Sequence, residues 1–168
     1  IAVLRDEALQ SLTTSQVSKL NTQQIAGLST HQTQIINLNQ IRALSGVQIA
    51  AIESQDVAIM TTLQIQAMSP ALTKSLTAAQ IGALTTVQVR ILFTSQVQAL
   101  ALGQVQALTT QHIQALSTSQ LAALSAAQVA SMTTAQIASL NELDVPPGPN
   151  NFYMGESSQV SSLSKTQV

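Results

Sequence analysis

An apolar residue returns at every eighth position from Leu12 to Leu140, without one polar exception. The series begins Leu12, Leu20, Leu28, Ile36, Leu44, Ile52 and Met60, and it ends Leu124, Met132, Leu140. The unit reads Leu-(Ser/Thr)-Thr-x-Gln-(Ile/Val)-x-Ala, as in the stretch from Leu108 to Ala115. A short fixed period means a stack in which each unit touches only its neighbours, not a globular enzyme.

Each unit carries a complete helix-start signal. In the stretch from Leu84 to Ile91, Thr85 followed three residues later by Gln88 is a capping box. The Thr hydroxyl accepts from the backbone N–H three residues on, and the Gln side chain reaches back to the Thr N–H. Leu84 and Val89 flank it as a hydrophobic staple. Gln stands at the fifth position thirteen times, from Gln16 to Gln136. Pro70 follows Ser69 and falls on a first helical position, where a missing N–H costs nothing. A helix that restarts every eight residues is short, about six residues or roughly 9 Å.

The expected fold is therefore all-α, a solenoid of very short capped helices, one per octapeptide. One long helix is excluded because the apolar stripe would drift about 80° per repeat and form no seam. A β-solenoid is the alternative, favoured by the Thr, Ile and Val content. It lacks the regular Gly, Asn or Asp corners such folds use, since Gly27, Gly46, Gly82 and Gly103 sit in four different contexts. The first-position Leu and sixth-position Ile or Val should face inward. The small eighth position lets helices approach closely, and the third, fourth and seventh positions face out. With two repeats per turn, the array would be a rod of roughly 80 Å.

Three breaks interrupt the pattern. Glu53 and Asp56 put acids at a cap and at a Gln position, read as helix-end electrostatics with Asp56 in the capping-box role rather than as a cation site. Phe93 and Ala101 remove two consecutive caps, and Phe93 is a candidate contact residue. After Val145 comes Pro146-Pro147-Gly148-Pro149, which forbids continued helix. The expected organisation is a solenoid over residues 1–145, a Pro/Gly-rich aromatic loop over 146–155 and a resumed repeat over 156–168. Phe152, Tyr153 and Met154 in that loop are candidates for self-association or partner contact.

Composition narrows the functions. Charged residues make up 8% and are scattered singly, which leaves no basic patch for nucleic acid and no basic amphipathic face for a membrane surface. No apolar run approaches the roughly 18 residues of a membrane span. Cysteine is absent, so disulfides and thiolate metal sites are excluded, which is compatible with export. The chain starts at Ile1 and stops at Val168 in mid-repeat, which suggests a segment of a longer protein. His31 and His112 are far apart in sequence and lack acidic partners at ligand spacing, and His112 stands in for a capping Gln. No phosphate loop, nucleophile elbow or carboxylate pair is present. The expectation is a non-enzymatic protein without catalytic residues, cofactor or metal.

The unit Leu-Thr-x-x-Gln-Val-x-Ala, approximated at Leu84 to Ile91 and at Leu92 to Ala99, resembles the helix-start stretch of transcription-activator-like effector repeats. That resemblance covers eight residues and brings neither the family's period nor its charge, so DNA reading does not carry over. Nearly the whole chain is similar in composition to the Ser/Thr/Gln-rich repeat tracts of long secreted bacterial surface proteins, including adhesin-like ones. That similarity implies an exported structural array at the cell surface: a fibre or filament subunit or a spacer, self-associating or stacked on further repeats. The alternative is a binding module whose rows of Thr14, Thr22, Thr30 and their equivalents meet ice, glycan or a host surface. Leu38, Gly46, Pro70 and Leu102 interrupt those rows.

Overall fold

The computed structural model describes residues 5–141. Among them are seventeen helices and no strand, so the chain is an all-α solenoid and the β-solenoid alternative falls. The helices run from four residues, in α2, to eight, in α17, one per octapeptide.

Each helix packs on the one three units further along. One turn of the solenoid is therefore three octapeptides, and the helices sort onto three faces. The first face holds α1 (Asp6–Ser11), α4 (Thr30–Ile35), α7 (Ser54–Ile59), α10 (Ala78–Ala83), α13 (Leu102–Ala107) and α16 (Ala126–Ala130). The second holds α2 (Thr14–Val17), α5 (Leu38–Ala43), α8 (Thr62–Ala67), α11 (Thr86–Arg90), α14 (Thr110–Ala115) and α17 (Thr134–Asn141). The third holds α3 (Thr22–Ala26), α6 (Gly46–Ala50), α9 (Pro70–Ser75), α12 (Thr94–Ala99) and α15 (Thr118–Ala122).

This corrects the expectation of two repeats per turn, and the corners give the reason. Between α10 and α11 the chain passes through Leu84 (φ −54°, ψ 146°) and Thr85 (φ −79°, ψ 157°), both extended. A full reversal over so short a link normally uses a left-handed residue. The described glycines are not left-handed, and the corner residues have negative φ. Two extended residues bend the chain by less than a reversal, so three units are needed to close a turn. Seventeen helices in layers of three, spaced at the usual 8–10 Å between helix axes, make a stack of about 50 Å rather than 80 Å.

The core is narrow and aliphatic, as the pattern requires. First-position residues such as Leu84, Leu100 and Leu108 and sixth-position residues such as Ile81, Val89 and Ile113 are buried. Each such side chain contributes about 1.5–3 kcal/mol by burial. Thr33 and Thr73 replace the sixth-position aliphatic, and each returns its hydroxyl to the carbonyl four residues back, Ser29 and Ser69. Neighbouring helices lie close: a Cβ at Gly82, a seventh position, would lie 3.3 Å from the carbonyl of Ala107, an eighth position in the next layer.

Candidate functional site

The fifth-position glutamines are buried, and each does two jobs. Gln88 Oε1 accepts from Thr85 N–H at 2.8 Å, and Gln88 N–H donates to the Thr85 hydroxyl at 3.1 Å. That is the capping box the repeat announces. Gln88 Nε2 also donates to the carbonyls of Val57 at 3.0 Å and Met60 at 2.8 Å, in the layer before. Gln96 repeats this with Ile65 and Met68, and Gln104 with Thr73 and Leu76. Wherever the bond forms, the partners lie 31 and 28 residues earlier. One amide thus closes a helix start above and the helix-end carbonyls of the corner below. Ten glutamines, from Gln40 to Gln136, form such rungs.

The ladder is a continuous buried polar network within an aliphatic rod. Each rung nets about 1 kcal/mol per hydrogen bond, and a missing rung leaves buried backbone groups unpaired at about 1–3 kcal/mol each. A capping box tolerates Glu or Gln equally, yet this chain uses Gln thirteen times and Glu never at that position. The preference for a group that donates as well as accepts was the sequence signal for the interlayer bond.

Three rungs depart from the rule. At His112 the imidazole replaces the amide: Nδ1 accepts from Thr109 N–H at 3.2 Å, and Nε2 lies 2.7 Å from the Leu84 carbonyl. That pairing fixes the neutral tautomer with the proton on Nε2. Burial holds this imidazole below the usual His value, against a smaller upward pull from the Leu84 carbonyl. Leu72 has no polar atom to offer and is simply buried. Asp56 is buried, and its Oδ1 has no hydrogen-bond partner. It does not take the capping-box role expected of it: Glu53 makes no side-chain cap, and Asp56 N–H goes to the Glu53 carbonyl at 3.0 Å.

Phe93 and Ala101 lack side-chain acceptors, yet their helices start normally. Gln96 and Gln104 still accept from the Phe93 and Ala101 N–H groups at 2.8 and 2.7 Å, so half the box suffices. Phe93 stands on the outside at a corner, 53% exposed. An open groove of about 560 Å³ lies at the other end of α12, with Pro70, Lys74, Gln98, Leu102 and Ser125 along it and without Phe93. Phe152, Tyr153 and Met154 lie outside the described residues, as do the loop over 146–155 and the resumed repeat over 156–168.

His31 has an acidic partner after all, because the turn brings α1 beneath α4: its Nε2 is 3.0 Å from Asp6 Oδ2 on an exposed surface. Among the described residues no three His, Cys, Asp or Glu side chains cluster as a metal-ligand set. No helix among them is long and apolar enough to cross a membrane.

The three-unit turn also sorts the threonines. Thr62, Thr86, Thr110 and Thr134 share the same position in successive layers of the second face, each preceded by a capping Thr. Gly46, Pro70 and Leu102, which break the rows in linear sequence, lie on the other two faces. Only Leu38 interrupts this column.

Fold and ladder together define a repeat protein, a helical solenoid of octapeptides. Two segments, residues 49–86 and 105–142, match the model of the ALTTAQ repeat family. No curated protein and no solved structure matches the chain.

Proposed function

We propose that this chain is a non-enzymatic structural module, a rod that serves as an extracellular spacer or fibre subunit of a large surface protein. The observation that carries this reading is the glutamine ladder. Every layer presents the carbonyls that the next layer's amides require, so the array extends by adding identical layers. Its buried glutamines are spent on internal bonds, and sparse charge offers little repulsion to lateral packing. Similarity in composition to repeat tracts of secreted bacterial surface proteins supports an outside location. Electron microscopy of the purified chain at several concentrations tests the reading. Filaments with a regular axial repeat make it a self-assembling subunit, and isolated short rods make it a spacer. Compact or irregular particles overturn it.

A second reading has one observation in its favour, the threonine column of the second face. Aligned hydroxyls and methyls at successive layers suit a repetitive polar surface such as ice or a polysaccharide. Thermal-hysteresis and glycan-binding assays that both read blank remove it.

A further inference from the structure

Asp56 occupies a place built for a donor. In the regular rungs an amide Nε2 lies 2.6 to 3.1 Å from two carbonyl oxygens of the preceding layer, at residues 31 and 28 earlier. For Asp56 that register gives Ile25 and Leu28. A carboxylate at that register position brings acceptors where the other rungs bring a donor, and it offers the two carbonyls no N–H. Asp56 is 4% exposed, and its Oδ1 is unpartnered. The ion pair of the described residues, between His31 and Asp6, does not involve it.

The side chain is also one methylene shorter than Gln, which withdraws its oxygen by about 1.5 Å. The gap to the carbonyls is then on the order of 4–4.5 Å. A cation held at about 2.3–2.6 Å from each oxygen spans that gap. An all-oxygen set with one carboxylate suits a hard cation. Calcium tolerates the irregular geometry, whereas magnesium demands an octahedron and keeps its water.

The geometry points to a calcium site at the Asp56 corner, formed by its carboxylate and the Ile25 and Leu28 carbonyls, that takes the place of the missing rung. Water completes the shell. One buried carboxylate gives the weak affinity of extracellular modules, with Kd of about 10⁻⁴–10⁻³ M.

The test is thermal unfolding at fixed ionic strength in rising calcium, with magnesium as control. It compares the native chain with Asp56→Asn and Asp56→Gln; Gln is the residue the fold uses at the other rungs. Calorimetric titration of calcium into the folded protein runs alongside and does not depend on how the variants melt. The native chain should gain about 3–6 °C and saturate in millimolar calcium, with a smaller response to magnesium, and both variants should gain nothing. A native melting temperature indifferent to calcium, with no calorimetric binding, overturns the site. An equal gain in native chain and variants overturns it too, because the ion then binds elsewhere.

Discussion

Two layers of this rod share one backbone and differ in what stitches them down. The layer of α11, α12 and α13 carries Gln88, Gln96 and Gln104, and all three reach the carbonyls of the layer before. The layer of α7, α8 and α9 carries Asp56, Gln64 and Leu72, and only Gln64 does so. The fully stitched layer has lost two side-chain caps, at Phe93 and Ala101, and its helices still begin on schedule. The poorly stitched layer keeps side-chain caps at Thr61 and Ser69 and lacks one at Glu53. Cap and rung are therefore separable, although one Gln usually supplies both. The joint with Gln64 as its one rung, aided at the surface by a bond from Gln34 Nε2 to the Ile59 carbonyl at 3.4 Å, should be the weakest in the stack.

The comparison breaks most directly at Gln64. Gln64→Ala removes the last rung of that joint and leaves the Thr61 N–H and the Thr33 and Ile36 carbonyls unpaired. It should cost about 4 kcal/mol in urea unfolding, and more than Gln88→Ala, which leaves two intact rungs beside it. Because nearest-neighbour interfaces carry the stability of such stacks, the variant should also unfold in two steps. Equal costs for the two substitutions would remove the idea of a weak joint. Asp56→Gln moves the other way: measured without calcium, it should add about 2 kcal/mol by restoring donors to the corner. Ala101→Ser should add about 1 kcal/mol, by giving a half-box its hydroxyl; the midpoint of urea denaturation reads both gains.

The smallest effect is one of pH. His112 is held below its ordinary value of 6.5 by burial, so the folded chain takes up fewer protons there than the unfolded one. Its contribution is complete above that value and is lost as the pH falls through the lowered folded value. His112→Gln should therefore flatten the native chain's decline in stability on mild acidification, a change smaller than those above. Parallel pH dependences in the two proteins would deny His112 any part in it.

Much of this was legible in the order of residues. The period gave the short helices, the capping box gave their starts, and Leu84 and Val89 marked the inward face. What stayed hidden was non-local. Nothing near Gln88 points to Val57 and Met60, because those carbonyls approach only once three units have turned. The number of units per turn depends on the bend at Leu84 and Thr85, where two extended residues are compatible with more than one closure. Asp56 read as an ordinary helix-start acid because its neighbours in sequence suit that role, whereas its neighbours in space needed a donor. The threonine column was obscured for the same reason, since rows sorted at period eight scatter residues that align at period twenty-four.

That mismatch between an eight-residue unit and a three-unit turn gives the molecule a reading frame. Gain or loss of a single octapeptide keeps every cap and every core residue, yet it moves all downstream units to the neighbouring face. Thr110 and Thr134 would leave the column they share with Thr62 and Thr86, while the ladder closed again behind them. Duplication in threes preserves the faces, and duplication in ones shuffles them. Stability is blind to the difference, so a surface pattern kept in register along such a rod would be the mark of selection on the surface and not on the fold.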